Sequence, residues 1–280
     1  MVISASQSRD SSTETTERRF ALGVGLTNEC NLACAFCYRD PTRLDRLSLA
    51  QVHAVMKSLP VRSVNLGTGE NGMHPDFAEF VSYLRSEPIK LTITSNGYSI
   101  DALDDAEVTA FHDIEFSLDY PTEAEQDQQR GPGNWSLIHQ QAARCRDLGV
   151  SVTFIAVMMR SNFDRLAEIA EIVKGYDAPL RINVYQSVRS DAFALTYDEY
   201  WQGFEALFAR TDAIAIGEPL VRAMAGLPVR RGRPDSRDRA HQGRAAGAAA
   251  PRIPRRRSRH SCSPCRRTAP RAPGQMNRCS

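Results

Sequence analysis

The stretch Phe20-Ala21-Leu22-Gly23-Val24-Gly25-Leu26-Thr27 runs through Asn28-Glu29 into Cys30-Asn31-Leu32-Ala33-Cys34-Ala35-Phe36-Cys37. Its first part is strand-length and nearly continuous in apolar character, as expected of a strand covered on both faces. The second part sets three cysteines in a C-x3-C-x2-C spacing on the loop that leaves this strand. Ser48 then stands as the N-cap of a helix whose apolar stripe is Leu49, Val52, Val55, Met56 and Leu59. Strand, cysteine loop and helix make one βα unit.

The same alternation continues downstream. Strand-length apolar runs recur at Ser63–Leu66, Lys90–Thr94, Ile114–Leu118, Ser151–Val157 and Leu180–Tyr185. Between them, Pro75 opens a helix packed through Phe77, Phe80, Val81 and Leu84, and a third helix is expected from about Ile100 to Phe111. A fourth buries Leu137, Ile138, Cys145 and Leu148 and stops at Gly149, and a fifth uses Phe163, Leu166, Ile169, Ala170 and Val173. Thr196 starts a sixth, with Tyr200, Phe204, Leu207 and Phe208 on one stripe. Six strand–helix units predict an α/β fold on a parallel sheet with right-handed crossovers. The pattern alone leaves open a doubly wound sheet or an incomplete barrel. In either, chemistry sits at the C-terminal strand ends, where the strand-to-helix loops converge.

Three thiols on one short loop can converge on one metal centre. A structural zinc site takes four protein ligands. A [4Fe–4S] cluster with three leaves one iron open to an outside molecule, unlike electron-transfer clusters whose irons are all cysteine-ligated. Seven cysteines in all, an odd number and unevenly clustered, argue against a secreted disulfide framework. Cys145 reads as a packed core thiol, and His53, His112 and His139 as helical surface or half-buried residues. His74 reads as a helix-entry residue.

At the cysteine loop the sequence resembles the radical S-adenosylmethionine (radical SAM) superfamily, with Phe36 at the aromatic position before the third cysteine. The resemblance implies a partial (β/α)6 TIM-type barrel of parallel strands and a [4Fe–4S] cluster held by Cys30, Cys34 and Cys37. It implies that SAM chelates the open iron and is reductively cleaved to a 5′-deoxyadenosyl radical. That radical abstracts hydrogen from a peptide or small molecule, in a maturase or cofactor-biosynthesis role. Gly67-Thr68-Gly69-Glu70 is similar to the family's Gly-Gly-Glu segment, which binds the SAM amino group, with Thr68 where the family commonly has glycine. Thr94-Ser95-Asn96-Gly97 and Ser117-Leu118-Asp119 resemble the family's next two strand ends, and Arg130-Gly131 follows where many relatives carry that pair. The resemblance therefore gathers Phe36, Thr68, Gly69, Glu70, Ser95, Asn96, Ser117 and Asp119 around the cofactor. It assigns no catalytic residue. It also implies an electron donor such as flavodoxin or ferredoxin. Arg181, Asn183, Tyr185 and Gln186 are further candidates for the mouth.

Charge divides the chain. Residues 1–228 carry 20 Lys+Arg against 31 Asp+Glu, whereas residues 229–280 carry 15 arginines against two aspartates. We read residues 1–19 as a disordered leader, 20–228 as the core domain, and 229–280 as a low-complexity Arg/Ala/Pro-rich disordered tail. The tail composition fits a frame-shifted gene end best. A basic arm, or the start of a SPASM- or twitch-type cluster domain using Cys262, Cys265 and Cys279, are the other readings. With no signal-like or membrane-length apolar run, the expected setting is cytoplasmic, without membrane or nucleic-acid partners. The alternative function is a non-catalytic zinc- or nucleic-acid-binding module using the cysteine loop and basic tail.

Overall fold

The computed structural model describes residues 20–211 and the strand residues Ile214–Ala215. The expected leader, the boundary at 228 and the tail with its three cysteines lie outside the described residues. Seven strands form one sheet: β1 (Phe20–Val24), β2 (Val61–Leu66), β3 (Lys90–Ser95), β4 (Asp113–Ser117), β5 (Val152–Met158), β6 (Leu180–Val184) and β7 (Ile214–Ala215). They lie in sequence order, and every neighbouring pair is parallel. A doubly wound sheet reverses strand order at a switch point. This one does not, so the ambiguity resolves to a curled half-barrel. Among the described residues β1 and β7 are not paired, so the barrel is open.

The helices follow the strands: α1 (Leu49–Ser58), α2 (Phe77–Ser86), α3 (Tyr98–Asp101), α4 (Asp105–Val108), α5 (Glu123–Arg130), α6 (Asn134–Asp147), α7 (Leu166–Lys174) and α8 (Tyr197–Arg210). Ser48 and Thr196 cap α1 and α8 in full capping boxes with Gln51 and Glu199. His74 does its work at the entry to α2, where its Nδ1 accepts from the Asp76 amide at 3.1 Å and its Nε2 meets the Leu47 carbonyl at 3.0 Å. Gly149 ends α6 at φ +73°, and Cys145 is fully buried.

Several details depart from the sequence reading, among them the seventh strand, β7, and Phe163, which precedes α7. The third helix is broken into α3 and α4, because Asp104 caps a new turn through Glu107. Helix α5 was not expected, since its sequence Glu-Ala-Glu-Gln-Asp-Gln-Gln-Arg offers no apolar stripe. His112 lies between α4 and β4 rather than in a helix. Of the stripe expected on α1, Val55 is 44% exposed and Leu59, which follows the helix, 36%, and a cavity of about 280 Å³ lies between this helix and β1.

The strands also carry a correction with functional weight. Strands β2, β3, β4 and β6 are not apolar on both faces but alternate, whereas β1 is apolar throughout and β5 carries Ile155 and Val157 opposite Phe154 and Ala156. Val64, Leu66, Leu91, Ile93, Ile114, Phe116, Phe154 and Ala156 pack with the helices in the main core. The intervening Asn65, Thr92, Thr94, Asp113, Glu115, Thr153 and Arg181 bond to one another on the concave face. Asn65 donates to Thr92 (2.9 Å), Thr94 to Glu115 (2.5 Å) and Thr153 to Asp113 (3.2 Å). Arg181 on β6 reaches over β5 to Glu115 on β4 at 2.7 Å. A closed TIM barrel fills its interior with layers of Val, Ile and Leu. This concave face is polar instead, and suits a ligand.

Candidate cofactor site

Cys30, Cys34 and Cys37 are free, half-buried thiols on the β1–α1 loop. Main-chain bonds shape that loop: Leu32 N donates to Cys30 Sγ (3.4 Å) and Cys37 N to Cys34 O (3.1 Å). Arg39 clamps its ends, donating to the carbonyls of Asn28 (2.9 Å) and Leu32 (3.2 Å). Burial pushes the Cys34 thiol up to about 11 against the pull of the Arg130 charge, and burial likewise raises Cys30. Among the described residues, no three His, Cys, Asp or Glu side chains are gathered tightly enough to hold a metal ion. The loop thus brings the thiols to one place, though not to one coordination point.

The turn after β2 presses against this loop. Glu70 N donates to Glu29 O at 2.6 Å, and a Cβ on Gly69 (φ +63°) would stand 2.5 Å from the carbonyl oxygens of Thr27 and Glu29. Only glycine fits there. Thr68 holds φ +70°, a left-handed conformation rare for a β-branched residue, and its hydroxyl bonds Tyr38 at 3.0 Å. The Glu70 carboxylate is 1% exposed and turns to the β3 end. It accepts from Ser95 Oγ (2.5 Å), Asn96 N (2.8 Å), Ser99 N (2.9 Å) and Ser99 Oγ. The two hydroxyls accept in turn from Gly97 N and Gly72 N, so their protons are committed to Glu70. Burial raises the Glu70 pKa, and these donors oppose the rise.

Asn96 joins this turn to the cysteines. Its side-chain amide donates to Asn31 Oδ1 at 2.9 Å and approaches Cys30 Sγ at 3.6 Å. Behind it, Asn134 donates to Asn96 O (2.8 Å), and Gln126 donates to Asn134 (2.8 Å) and to Ser117 O (3.2 Å). Gln126 also accepts the amides of Asp119 and Tyr120. Asp119 is fully buried. One oxygen takes Val157 N (2.8 Å), and the other takes Arg130 Nε (2.7 Å) and Nη2 (2.6 Å). The Arg130 guanidinium lies 5.5 Å from the centre of the Phe36 ring, a cation–π contact onto the cysteine loop. A Cβ on Gly131 would meet Leu32 of that loop at 2.9 Å.

A second, smaller apolar cluster covers the mouth. Phe36, Tyr120 and Met159 form it, flanked by Cys34, Val157, Tyr185 and Phe193, so the loops after β1, β4, β5 and β6 all contribute. Of the sequence candidates, Cys30, Glu70, Ser95, Asn96, Asp119 and Phe36 fall in one connected set. Thr68 sits beside it, and Ser117 is half-buried at the β4 end. Arg181 is spent on Glu115, Tyr185 donates to Ser190 O (2.8 Å), and Asn183 and Gln186 are exposed. Sequence reasoning missed Asn31, Ser99, Gln126 and Asn134. The last three are at most 3% exposed. Isolated amides and a serine give no pattern to read. The one available signal was polar residues inside helices that face a strand end.

Residues 24–173 match the family model of the Radical SAM superfamily. The chain belongs to the radical SAM superfamily. Members of this superfamily use a [4Fe–4S] cluster and SAM. Among curated proteins, the chain is similar to the mycofactocin maturase MftC of Mycolicibacterium smegmatis, 29% identical over 206 residues. That match covers 69% of this chain and 53% of the relative. MftC of Mycobacterium tuberculosis is 30% identical over 165 residues, covering 56% of this chain and 42% of the relative. The chain thus spans about half the length of the curated relatives it matches. Streptococcus suis SuiB bound to S-adenosylmethionine superposes with a TM-score of 0.58 at 16% identity, over 68% of this chain and 47% of that one. The peptide-bound anSMEcpe with AdoMet gives 0.56 at 15%, over 68% and 59%. At these identities the radical SAM likeness is one of fold. No helix among the described residues is long and apolar enough to cross a membrane.

Proposed function

We propose that this chain carries the cluster- and SAM-binding core of a radical SAM maturase, with Cys30, Cys34 and Cys37 as the cluster ligands. The donor set suits the cluster: three thiols on one loop, with no disulfide among the described residues. When bound, the cluster would supply the electron that cleaves SAM into a hydrogen-abstracting radical. The observation that carries the reading is the linkage of that loop to the adjoining strand ends: Asn96 bonds it from the end of β3, and Arg130 at the end of α5, held by Asp119 after β4, covers Phe36.

The remaining side chains hold and exclude. Gly69 lets the β2 turn lie against the cysteine loop, and Glu70 fixes that turn to Ser95, Asn96 and Ser99. The Phe36 cluster keeps water from the mouth. The polar concave face receives the substrate. A peptide substrate is supported by two neighbours: SuiB is described bound to the precursor peptide SuiA, and MftC is a maturase. We further propose an electron donor such as flavodoxin or ferredoxin and a cytoplasmic setting. Thr68, Ser117 and Asp119 complete the proposed cofactor wall. The test is anaerobic reconstitution of the full chain followed by dithionite and SAM. Release of 5′-deoxyadenosine is expected, and a fully iron-loaded chain that releases none would remove the enzyme reading.

A further inference from the structure

Between the cysteine loop and the β6–α8 connection (residues 185–196) lies a cavity of about 420 Å³, lined by Cys34, Cys37, Arg39, Pro41, Arg189 and Ser190. The connection is tied down over the loop at several points. Arg189 Nη1 donates to Arg39 O (3.0 Å), and Arg160 N donates to Phe193 O (3.0 Å). The Phe193 ring meets Phe36 edge-on at 6.0 Å and Tyr185 at 5.8 Å. Phe36 is the residue just before Cys37, so the connection walls one side of the thiols.

Arg39 and Arg189 line this cavity, and no carboxylate among the described residues does. Arg39 and Arg189 are bonded to main-chain carbonyls, and neither forms a salt bridge among the described residues. Most other described arginines do pair: Arg43, Arg46, Arg130, Arg144, Arg146, Arg160, Arg165 and Arg181 each meet a carboxylate. The neighbouring Asp40 accepts from the Thr42 amide (2.9 Å) and hydroxyl (2.7 Å), stays ionised and feels the Arg189 charge, but does not line the cavity. Two arginines against one carboxylate outside the lining leave a net positive charge at a concave opening, which raises the local concentration of anions.

We infer that this cavity is an anion-selective entrance to the cysteine loop, walled by residues 185–196, which takes carboxylate-bearing groups in preference to neutral ones. It opens onto Cys34 and Cys37 and is distinct from the Glu70–Asn96 side of the loop. A small carboxylate and an acidic side chain of a protein partner share the chemistry it selects. The inference needs the three thiols, not the cluster, so its test is independent of the proposed function.

The test is alkylation of the full metal-free chain under anaerobic conditions with iodoacetate, an anion, and iodoacetamide, its neutral counterpart. In both reactions the thiolate sulfur displaces iodide from the methylene carbon, and the thiol proton goes to buffer. Mass spectrometry reads the rate at Cys34 and Cys37, with buried Cys145 as the folding control. The iodoacetate-to-iodoacetamide rate ratio is expected to exceed that of a free small thiol by at least about twofold, to fall in Arg189→Gln, and to collapse with salt. Phe193→Ala should raise both rates at Cys34 and Cys37 and leave Cys145 unreactive. A ratio equal to that of the free thiol and unmoved by Arg189→Gln overturns the selectivity. Rates unmoved by Phe193→Ala overturn the wall. An acidic peptide that slows iodoacetate at wild-type but not Arg189→Gln chain assigns the entrance to a protein partner, and free acetate acting alone assigns it to a small molecule. A chain that shows the ratio yet takes up no iron would sink the proposed function and leave this inference standing.

Discussion

Gly69 and Thr68 stand side by side at positive φ, and their substitutions should behave in opposite ways. A methyl at Gly69 would lie 2.5 Å from two carbonyl oxygens, so Gly69→Ala should lose at least about 2 kcal/mol of stability in urea unfolding. Thr68→Gly removes left-handed strain of about 1–3 kcal/mol and gives up one exposed hydroxyl bond to Tyr38. It should be neutral or stabilising. A Thr68→Gly chain as damaged as Gly69→Ala would show that the threonine side chain, not the backbone, organises the turn. Glu70→Gln replaces one acceptor oxygen with a donor facing hydroxyl or amide donors. It should cost about 1–3 kcal/mol in the same assay, and a neutral result would contradict the four-donor arrangement. Cys30, Glu70 and Asn96 were visible in the sequence because their motifs are local. Gln126 and Asn134 were not, because what makes them part of the site is a partner eight residues away on another helix.

Among the elements, those with a complete local signature were read well. Helices α1 and α8 begin at the expected caps, and α2 buries the four expected residues, Phe77, Phe80, Val81 and Leu84. Ser48→Ala should therefore cost about 1 kcal/mol, measurable as a lower urea midpoint with unchanged slope. No shift would mean that α1 is held by the turn before it rather than by its cap. Helix α5 escaped because tertiary bonds replace the missing apolar stripe: Gln126 and Arg130 bury polar groups against the β4 end. The strands were placed correctly but their inner face was not. Thr92 and Thr94 count as good strand formers on either face, so β propensity did not reveal which side opened to solvent.

For the whole molecule, the sheet order settled what periodicity left open. Seven parallel strands in sequence order make a curled half-barrel, with polar residues on its concave face and the cysteine loop among its strand-end loops. The described part of the chain accounts for the loop that would hold the cluster and for the residues that brace it. The measurement that tests this account most directly is iron and zinc analysis of the full chain after anaerobic reconstitution, beside Cys34→Ala, with electron paramagnetic resonance of the reduced protein with and without SAM. The account predicts about four irons per chain, a signal that changes when SAM is added, and loss of both in Cys34→Ala. A colourless chain holding one zinc, or a Cys34→Ala variant that keeps its iron and its response to SAM, would contradict it.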